Sequence, residues 1–413
     1  MHDLLYLQII DVYYFRMTYL TRVKLVLSLL LLSGCAAVPP VPVAVPCTPA
    51  VVPGAEPVVV PNLHSATWDA MPGWADDDLL IAWNSWIQSC AGLQNKPDWR
   101  AVCAAANQLK PESSDQVRAF FETWFNVYQS QQSDGSVSGL VTGYYEPLLQ
   151  GSLKPSAQNN IPLYSVPKDL LTVDLSAVYP ELKNIRLRGR LEGNKVVPYL
   201  SREQIDNKPQ ALAGNELVWV NNAVDAFFLQ IQGSGRIQLA EGGMLRVGYA
   251  DQNGYPYRAI GKVLADRGEL PLAQASMQGI KDWARKNPAK LPNLLAQNPS
   301  FVFFKILPNN DAGPIGALGV PLTPERSVAV DTRAIPLGAP VWLATTQPLS
   351  TTPMNRLVMA QDTGGAIRGN VRADFFWGFG DAAGKQAGMM KQSGQMWVLL
   401  PKTMSVPGVL AKR

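Results

Sequence analysis

The spacing of apolar residues changes at Val137, and this change constrains the fold more than any other feature. Before it, apolar residues recur at helical spacing; after it, short apolar runs are interrupted by glycine, proline and asparagine. Such runs are typical of β-strands. Long β segments with glycine-rich corners and few charges are typical of barrels. The sequence therefore predicts helices, then a β-rich insertion, then a compact β domain.

Three amphipathic helices are predicted upstream of this change, because apolar residues at this spacing share one helix face. The tryptophans on these faces are interpreted as core residues rather than as platforms for sugars. Strands are predicted within 139–152, 215–222 and 226–239, a helical interlude from 257 to 283, and further strands from 300 to about 401. The three apolar stripes are Leu79, Trp83, Trp86, Ile87 and Cys90; Trp99, Val102, Cys103 and Ala106; and Val117, Phe120, Phe121, Trp124 and Tyr128.

Cys90 and Cys103 flank the short connection between the first two predicted helices. In an oxidising compartment they could form a disulfide. Both also fall on apolar stripes, so two buried thiols are an equal alternative.

The N-terminus has the pattern of a secretory signal. Arg22 and Lys24 precede an apolar run that ends in Leu-Ser-Gly-Cys at Cys35. The run is too short to span a bilayer, and its end resembles a bacterial lipobox, in which the cysteine is acylated and anchored to a membrane. A plain signal peptide is the alternative. Residues before Met17 do not fit a signal, so we expect Met17 to be the start.

The segment after Cys35 is rich in proline, valine and alanine as far as residue 62. Such a stretch is stiff and extended, so it is expected to tether a domain to the membrane. Ala36, rather than an aspartate, follows the cysteine. By resemblance to sorted lipoproteins, this favours the outer membrane.

Three aspartates near the C-terminus dominate the acid-base inventory: Asp331 in VAVDTRAIPLG, Asp362 in MAQDTGGAIRG and Asp374 in VRADFFWGFGD. The chain has only two histidines, His2 and His64, which argues against a Ser-His-Asp triad or a histidine-rich zinc site. The aspartate loops lack calcium-loop spacing, so no metal is expected. A net charge of +4 without basic blocks argues against nucleic acid.

Asp374 precedes three aromatic residues, 375–377. A carboxylate against aromatic rings is poorly solvated, which raises its pKa and suits a proton donor at neutral pH. The structural alternative is that Asp374 caps a turn or pairs with Arg372 or Arg368.

The triplet Asp362-Thr363-Gly364 is similar to the active-site triplet of aspartic proteases. Those enzymes need two carboxylates that share one proton, and the chain has no second DTG or DSG. Arg333 follows Asp331-Thr332, and its charge would upset a shared proton. This reading is therefore disfavoured.

A second candidate cluster lies far upstream of the aspartates. Thr142 is followed by Tyr144 and Tyr145, which point to opposite faces of a strand, so one of them could face a groove. The run 232–235, Gln-Gly-Ser-Gly, offers backbone donors and room for close approach to a ligand. A simple turn is the alternative for this run.

These segments together resemble the membrane-bound lytic murein transglycosylase A family. The resemblance is carried by TGYYEP, LQIQGSG, GYADQNGYPYRAIGKVL, NPSFVFFK, SVAVDTRAIPLG, QDTGGAIRG and RADFFWGFG, between Gly139 and Trp397. It implies a mainly β fold with N-terminal helices (α+β), in which a double-psi β-barrel and a second, inserted β-barrel enclose a groove. The expected parts are a lipoprotein signal (1–35), a tether (36–62), a helical part (63–143), the insert (144–307), the barrel with the three-aspartate module (308–403) and a tail (404–413).

The resemblance implies a lyase, a peptidoglycan lytic exotransglycosylase. Such an enzyme cuts the β-1,4 bond between N-acetylmuramic acid and N-acetylglucosamine and leaves a 1,6-anhydro ring. Glycosidases commonly need two carboxylates, but here the substrate's own C6 hydroxyl is the nucleophile and one acid suffices. Asp374 matches that catalytic acid, whereas Asp362 and Asp331 match supporting or purely structural positions.

The resemblance also implies the ligands of the protein. No cofactor is implied. The partners would be peptidoglycan glycan strands and the outer membrane, to which the lipid anchor on Cys35 attaches the protein from the periplasmic side. Proteins of a wall-synthesis complex are further candidate partners. The protein itself is expected to be a monomer. The substrate-binding candidates are Thr142, Tyr144, Tyr145, Gln232, Gly233, Ser234, Gly364 and Gly365.

Two other functions stay open at this point. One is a non-catalytic peptidoglycan-binding lipoprotein, because double-psi barrels also occur in binding modules. The other is an ordinary hydrolase that acts through Asp374 together with Asp362 or Glu146.

Overall fold

The computed structural model describes residues 62–182, 185, 187–310 and 312–404. The predicted signal, Cys35 and almost all of the tether lie outside this range, as does the tail from residue 405. Within it, no helix combines the length and apolar character needed to cross a membrane.

The described residues form helices before, within and after a set of β-strands. The helices are α1 (Leu79–Leu93), α2 (Pro97–Gln108), α3 (Ser114–Trp124), α4 (Arg202–Asn207), α5 (Ala223–Gln232), α6 (Ile260–Asp266), α7 (Met277–Lys286), α8 (Leu291–Ala296) and α9 (Gly380–Met389). Short 3₁₀ turns occur at Trp68–Ala70, Pro180–Leu182, Pro209–Leu212, Leu272–Gln274 and Pro288–Lys290.

The strands, in chain order, fall into three sheets. They are β1 (Leu63–Ala66), β2 (Phe125–Ser130), β3 (Gly139–Glu146), β4 (Leu148–Ser152), β5 (Ile161–Tyr164), β6 (Leu171–Val173), β7 (Leu187–Glu192), β8 (Lys195–Pro198), β9 (Glu216–Val220), β10 (Ser234–Leu239), β11 (Met244–Gln252), β12 (Val302–Leu307), β13 (Ser327–Val330), β14 (Pro340–Thr346), β15 (Pro353–Asp362), β16 (Arg372–Phe379) and β17 (Lys391–Pro401).

The largest sheet closes on itself. Its order is β1-β2-β17-β14-β15-β13-β16-β3, and β3 pairs again with β17, so that six strands form a barrel with β1 and β2 attached outside. The pairs β3–β16 and β13–β15 are parallel, whereas the other pairings are antiparallel. One continuous apolar core joins the barrel strands to α1, α2 and α3.

Strand β3 is the barrel strand that precedes the insert. It pairs with β16 and with β17, both of which follow the insert in sequence. The boundary expected between residues 143 and 144 falls inside this strand. The barrel therefore combines one strand from before residue 147 with five strands from after residue 326.

The insert contains a six-stranded sheet of order β12-β11-β10-β4-β9-β5 and a small sheet of β6, β7 and β8. The edge strands β5 and β12 lie near each other, but among the described residues no backbone hydrogen-bond ladder joins them. The sheet of the expected second barrel is therefore open between these two strands. Pro162 in β5 has no N–H to donate, which suits an edge strand.

Most of the predicted helices are confirmed, including the interlude that contains α6 and α7. Two predictions were wrong. Helix α3 ends at Trp124, and Tyr128 lies on β2. The predicted strand 226–239 is helix as far as Gln232, because the Asn222 side chain accepts two backbone N–H groups at the start of α5 and Gly233, at φ 80°, ends it.

A disulfide links α1 to α2. Cys90 and Cys103 are bonded and almost fully buried, at positions 13 residues apart in the sequence. The pairing joins the two helices at the core that they share with the barrel.

Removing this disulfide should destabilise the protein. Closing a loop of this length contributes about 3 kcal/mol, mainly by restricting the unfolded chain. We expect the double variant Cys90→Ala/Cys103→Ala to lose about that much unfolding free energy in urea titrations under oxidising conditions. The wild-type protein should lose a similar amount on reduction, and stability that reduction leaves unchanged would contradict the bond.

Candidate active site

Four residues on adjacent barrel strands lie in one row across the sheet. Asp362 on β15 is paired with Ala329 on β13, Ala329 with Asp374 on β16, and Asp374 with Thr142 on β3. Directly paired residues on neighbouring strands project to the same face of a sheet. The register therefore places both carboxylates and the threonine hydroxyl on one face.

This row faces away from the main core. On β13 and β16 the residues on both sides of the row belong to the large core cluster, whereas Ala329 belongs to a separate small apolar cluster. Asp374, Asp362 and Thr142 are each partly exposed. The row thus lies on the outer surface of the barrel wall. The small cluster consists of Tyr144, Leu322, Ala329, Ile367 and Phe376.

A β-bulge turns Asp362 towards this face. Val328 pairs with Ala360, but the next residue, Ala329, pairs with Asp362, so that Gln361 is skipped. In a regular ladder Gln361 would stand beside Ala329, and Asp362 would point to the other face. Bulges of this kind commonly re-aim a side chain near a functional site.

The skipped residue, Gln361, is hydrogen-bonded to helix α1 on the core side of the sheet. Gln361 is fully buried; its Nε2 donates to the carbonyl of Ser85 at 2.8 Å and to Oγ of Ser89 at 2.9 Å. Its Oε1 accepts from the hydroxyl of Ser327 at 2.6 Å. A buried amide with its donors and acceptor satisfied fixes local geometry, so the bulge is built into the packing of α1.

Asp374 is bound by Thr142. The Thr142 hydroxyl donates to Oδ1 of Asp374 at 2.5 Å and itself accepts from Nη2 of Arg372 at 2.8 Å. Burial raises the pKa of Asp374, against the hydrogen bond from Thr142 and the charge of Arg372, which lower it. A carboxyl with a raised pKa that is still open to solvent can donate a proton near neutral pH.

Asp362 has a different set of partners. Its Oδ2 accepts from the Tyr144 hydroxyl at 3.1 Å, and its Oδ1 accepts from the backbone N–H of Ala317 at 3.0 Å. Burial raises its pKa to about 6, although these hydrogen bonds oppose the shift. Asp362 is therefore a carboxylate at neutral pH, and each of its oxygens already accepts a hydrogen bond.

The two adjacent tyrosines lie on opposite faces of β3. Tyr144 packs its ring on Phe376, with centroids 5.1 Å apart, while Tyr145 belongs to the main core. Burial, followed by the charges of Asp362 and Asp374, raises the pKa of Tyr144 well above its usual value. Its phenol thus stays neutral and donates to Asp362. Both rings are mostly buried, which leaves little ring face for stacking on a sugar.

Asp331 is separate from the row. Its carboxylate accepts from Nε and Nη2 of Arg333, at 2.9 and 2.6 Å, and from the backbone N–H of Gly369 at 2.9 Å. Burial alone would raise its pKa, but these bonds hold it at about 2. Asp331 is a permanent carboxylate that ties the loop before β16 to the loop after β13, and it shares no proton with Asp362.

The remaining sequence candidates lie at the junction of α5 with β10 and in the loop after β15. Gln232 ends α5, and its Oε1 accepts the backbone N–H of Tyr145 at 3.0 Å, which joins the insert to β3. Gly233 holds the left-handed turn and Ser234 is buried at the start of β10. Gly364 and the exposed Gly365 follow Asp362 in the loop that Asp331 ties down.

Glu146 at the end of β3 is engaged elsewhere. It is fully buried and accepts from Nε of Arg236 at 2.9 Å, with Nη2 of Arg246 3.8 Å away. Burial raises its pKa, and the two arginines lower it. Sequence reasoning missed both arginines, because they lie about 90 and 100 residues downstream and no local motif marks them.

Sequence reasoning also missed the links of Thr142 to Asp374 and of Gln361 to α1. Each depends on strand register, which short-range pattern does not reveal. In the described part of the chain, no three His, Cys, Asp or Glu side chains gather as a metal site would require.

The site offers one partly exposed carboxyl with a raised pKa on Asp374, a neighbouring carboxylate on Asp362 and a neutral phenol on Tyr144.

Two family models match the chain. Residues 140–305 match the model described as the MltA specific insert domain, and residues 326–400 match the 3D domain. The first match covers β4 to β11 and most of β3 and β12; the second covers β13 to β16 and nearly all of β17.

Known proteins show the same similarity. The chain is 33% identical over 285 residues to membrane-bound lytic murein transglycosylase A of Vibrio cholerae, which covers 67% of this chain and 69% of that relative. A crystal structure of MltA from Neisseria gonorrhoeae is 41% identical, with a TM-score of 0.72, over 83% of this chain and 93% of that one. A structure of Escherichia coli MltA with bound chitohexaose is 27% identical, with a TM-score of 0.62, over 83% and 95%.

The ion pair of Asp331 should make stability depend on pH. Because its folded pKa, about 2, lies below the usual value near 3.9, the carboxylate stabilises the fold above pH ~4 and loses this effect as the pH falls towards 2. We expect Asp331→Asn to lower the unfolding free energy by about 1–2 kcal/mol at pH 7, a figure reduced for the exposure of Arg333. Urea titrations from pH 3 to 7 measure it.

The matched control is Asp266→Asn, which removes an exposed carboxylate from a surface pair. It should change stability little at any pH. A loss for Asp331→Asn that is the same at pH 3 and pH 7 would contradict the proposed ionisation.

Proposed function

The chain belongs to the membrane-bound lytic murein transglycosylase A family, and from this premise we propose that Asp374 alone supplies the acid and the base for its reaction. Membership makes the protein a peptidoglycan lytic transglycosylase, a lyase. The finer proposal is cleavage of the β-1,4 bond between N-acetylmuramic acid and N-acetylglucosamine, with formation of a 1,6-anhydromuramoyl end.

The proposed reaction returns its proton. Neutral Asp374 donates a proton to the glycosidic oxygen while the bond from that oxygen to the anomeric carbon breaks. The C6 hydroxyl of the same muramoyl residue then bonds to the anomeric carbon, and its proton passes to the Asp374 carboxylate. No water is consumed, and Asp374 ends neutral, as it began.

The observation that carries this proposal is that one carboxyl of the site is both raised in pKa and free at one oxygen. Asp374 is partly exposed, and among the described residues it accepts a side-chain hydrogen bond at Oδ1 and none at Oδ2. Asp331 is bound to an arginine, Glu146 is buried against two arginines, and Asp362 accepts from Tyr144 and Ala317. A hydrolase needs a second carboxylate to act as base or nucleophile, and these partners argue against each candidate.

Asp362 has a supporting role in this proposal. With a pKa of about 6 it is ionised at neutral pH, one strand removed from Asp374 across Ala329. Glycosidic cleavage passes through an oxocarbenium-like state with positive charge on the sugar ring. A fixed carboxylate on the same face would stabilise that charge.

The substrate is proposed to lie between the barrel wall and the insert. The Gln232 side chain of the insert bonds to β3 next to Tyr144, which supports a groove over the row. Thr142, Tyr144, the 232–234 turn, Gly364 and Gly365 would line it, whereas the ring of Tyr145 packs in the main core on the other face of β3. The structure of the Escherichia coli relative with chitohexaose supports glycan strands as the ligand. Six closed strands with two parallel pairings support a barrel of the double-psi type.

We further propose that the protein is anchored to the outer membrane by acylation of Cys35, faces the periplasm and serves cell-wall turnover. Its relatives are named membrane-bound, and the lipobox-like Leu-Ser-Gly-Cys supplies an acceptor. The disulfide between Cys90 and Cys103 suits an oxidising compartment such as the periplasm.

Replacing the acid should slow cleavage strongly. We expect Asp374→Asn to slow release of soluble fragments from purified murein by at least on the order of 10²–10⁴-fold, because the amide has no transferable proton. Fragments from the wild-type protein should end in anhydro sugars, which mass spectrometry distinguishes from hydrolysed ends by the mass of one water.

Asp266→Asn serves as the control, since it makes the same change on an exposed surface helix. Unchanged cleavage by Asp374→Asn would refute the catalytic role, and reducing ends alone would refute the transglycosylase chemistry. A wild-type protein that binds murein without releasing fragments would instead support a binding module.

Anchoring is tested separately. We expect Cys35→Ala to release the protein from the membrane fraction or to leave it as an unprocessed precursor, because no thiol remains to be acylated. Cys47→Ala, which removes the other N-terminal cysteine, is the matched control and should fractionate with membranes. Normal fractionation of the Cys35 variant would contradict the anchor.

A further inference from the structure

Arg372 lies on the same face as Asp374, because the two residues are two positions apart on β16. Its Nη2 donates to Oγ1 of Thr142 at 2.8 Å. Its Nη1 donates to the backbone carbonyls of Leu140, at 3.4 Å, and of Ala373. The guanidinium is therefore anchored to the backbone of two strands and directed at one hydroxyl group.

The donors and acceptors of Arg372, Thr142 and Asp374 allow one set of hydrogen-bond directions. A guanidinium has only donors, whereas a hydroxyl has a single proton and two lone pairs. Thr142 must therefore accept from Arg372, and its own proton is free to point elsewhere. The hydroxyl lies 2.5 Å from Oδ1 of Asp374, so this proton is directed at that oxygen.

From this geometry we propose that Arg372 is a positioning residue that locks the Thr142 hydroxyl onto Oδ1 of Asp374 and leaves Oδ2 to carry the transferable proton. The proposal rests on the proposed function, in which Asp374 serves as acid and then as base. Oδ1 already accepts a hydrogen bond from the Thr142 hydroxyl, so the proton of the neutral acid belongs on Oδ2. The substrate would then approach Asp374 from the Oδ2 side.

Arg372 also brings a positive charge near a carboxyl group that burial tends to neutralise. In the described part of the chain, other charged or titratable groups on the elements packed around Asp374 are Tyr144 on β3, Asp362 on β15 and Lys391 on β17 beside Thr142. Asp381 is on α9, which packs on β3 and β16, and its charge acts on Tyr145. Among the described residues, Arg372 is the cation that is linked to Asp374 by hydrogen bonds, through the Thr142 hydroxyl. An acid that must also act as base works best when its pKa is near the working pH, and Arg372 opposes the rise caused by burial.

The test is the pH dependence of kcat/KM on soluble glycan strands, together with an NMR titration of the Asp374 side-chain carboxyl. Activity falls as pH rises through the pKa of the essential acid. Because Arg372 stabilises the carboxylate, Arg372→Met should move this fall to higher pH by about one unit. Thr142→Val should shift it in the same direction, whereas Thr142→Ser, which keeps the hydroxyl, should restore the wild-type profile.

Arg368→Met is the matched control. It removes the same charge from an exposed loop position whose guanidinium binds the carbonyls of Gly364 and Ile367. The position of the pH fall should stay within the error of the wild type. Arg372→Lys keeps the charge without the fork of donors and should give a shift smaller than that of Arg372→Met.

The outcomes separate this inference from the proposed function. If Arg372→Met and Thr142→Val lower the melting temperature while both the kinetic profile and the Asp374 titration keep their wild-type positions, the positioning role is wrong. If the NMR titration shifts as expected but the products carry only reducing ends, the link from Arg372 to Asp374 stands and the transglycosylase chemistry fails.

Discussion

The site depends on the pairing of β3 with β16 and β17. This strand precedes the insert, and its partners follow the insert, so the barrel closes only when the chain returns at β13, about 180 residues after β3 ends. The same pairing brings Thr142 beside Asp374. A buried charged cluster holds the chain where it enters the insert and where it leaves it. Glu146 at the end of β3 binds Arg236, and Arg246 donates to the carbonyls of Pro308 and Ala312, which follow the last strand of the insert. Removing one member of such a buried charged cluster is costly.

Local chemistry could be predicted from sequence where it depends on neighbours in the chain. Apolar spacing located α1 and α2, and the aromatic residues after Asp374 indicated a poorly solvated carboxyl. Arg333, two residues after Asp331, already argued against a shared proton, and in the structure it binds that carboxylate. These features need no knowledge of which strands meet.

Features set by register could not be predicted. The bulge at Gln361 has no local signature, since its partners Ser85 and Ser89 lie on a helix about 270 residues earlier. Without that bulge, Asp362 would face the other side of the sheet. A strand was predicted where helix α5 lies, because the apolar residues of 226–232 fit both strand spacing and helical spacing. The caps at Asn222 and Gly233 favour the helix. The three aspartates, alike in sequence, therefore differ in structure: one is open, one is hydrogen-bonded beside it, and one is locked in an ion pair.

The most direct test of the one-acid account is a crystal structure of the Asp374→Asn variant with a peptidoglycan glycan strand bound across the intact bond. The account predicts that the glycosidic oxygen and the C6 hydroxyl of the same muramoyl residue both lie within about 3.2 Å of the side chain at position 374. An ordered water held by Asp362 on the opposite side of the sugar ring, with the two carboxyl positions about 6.5–9.5 Å apart, would contradict it and indicate an inverting hydrolase.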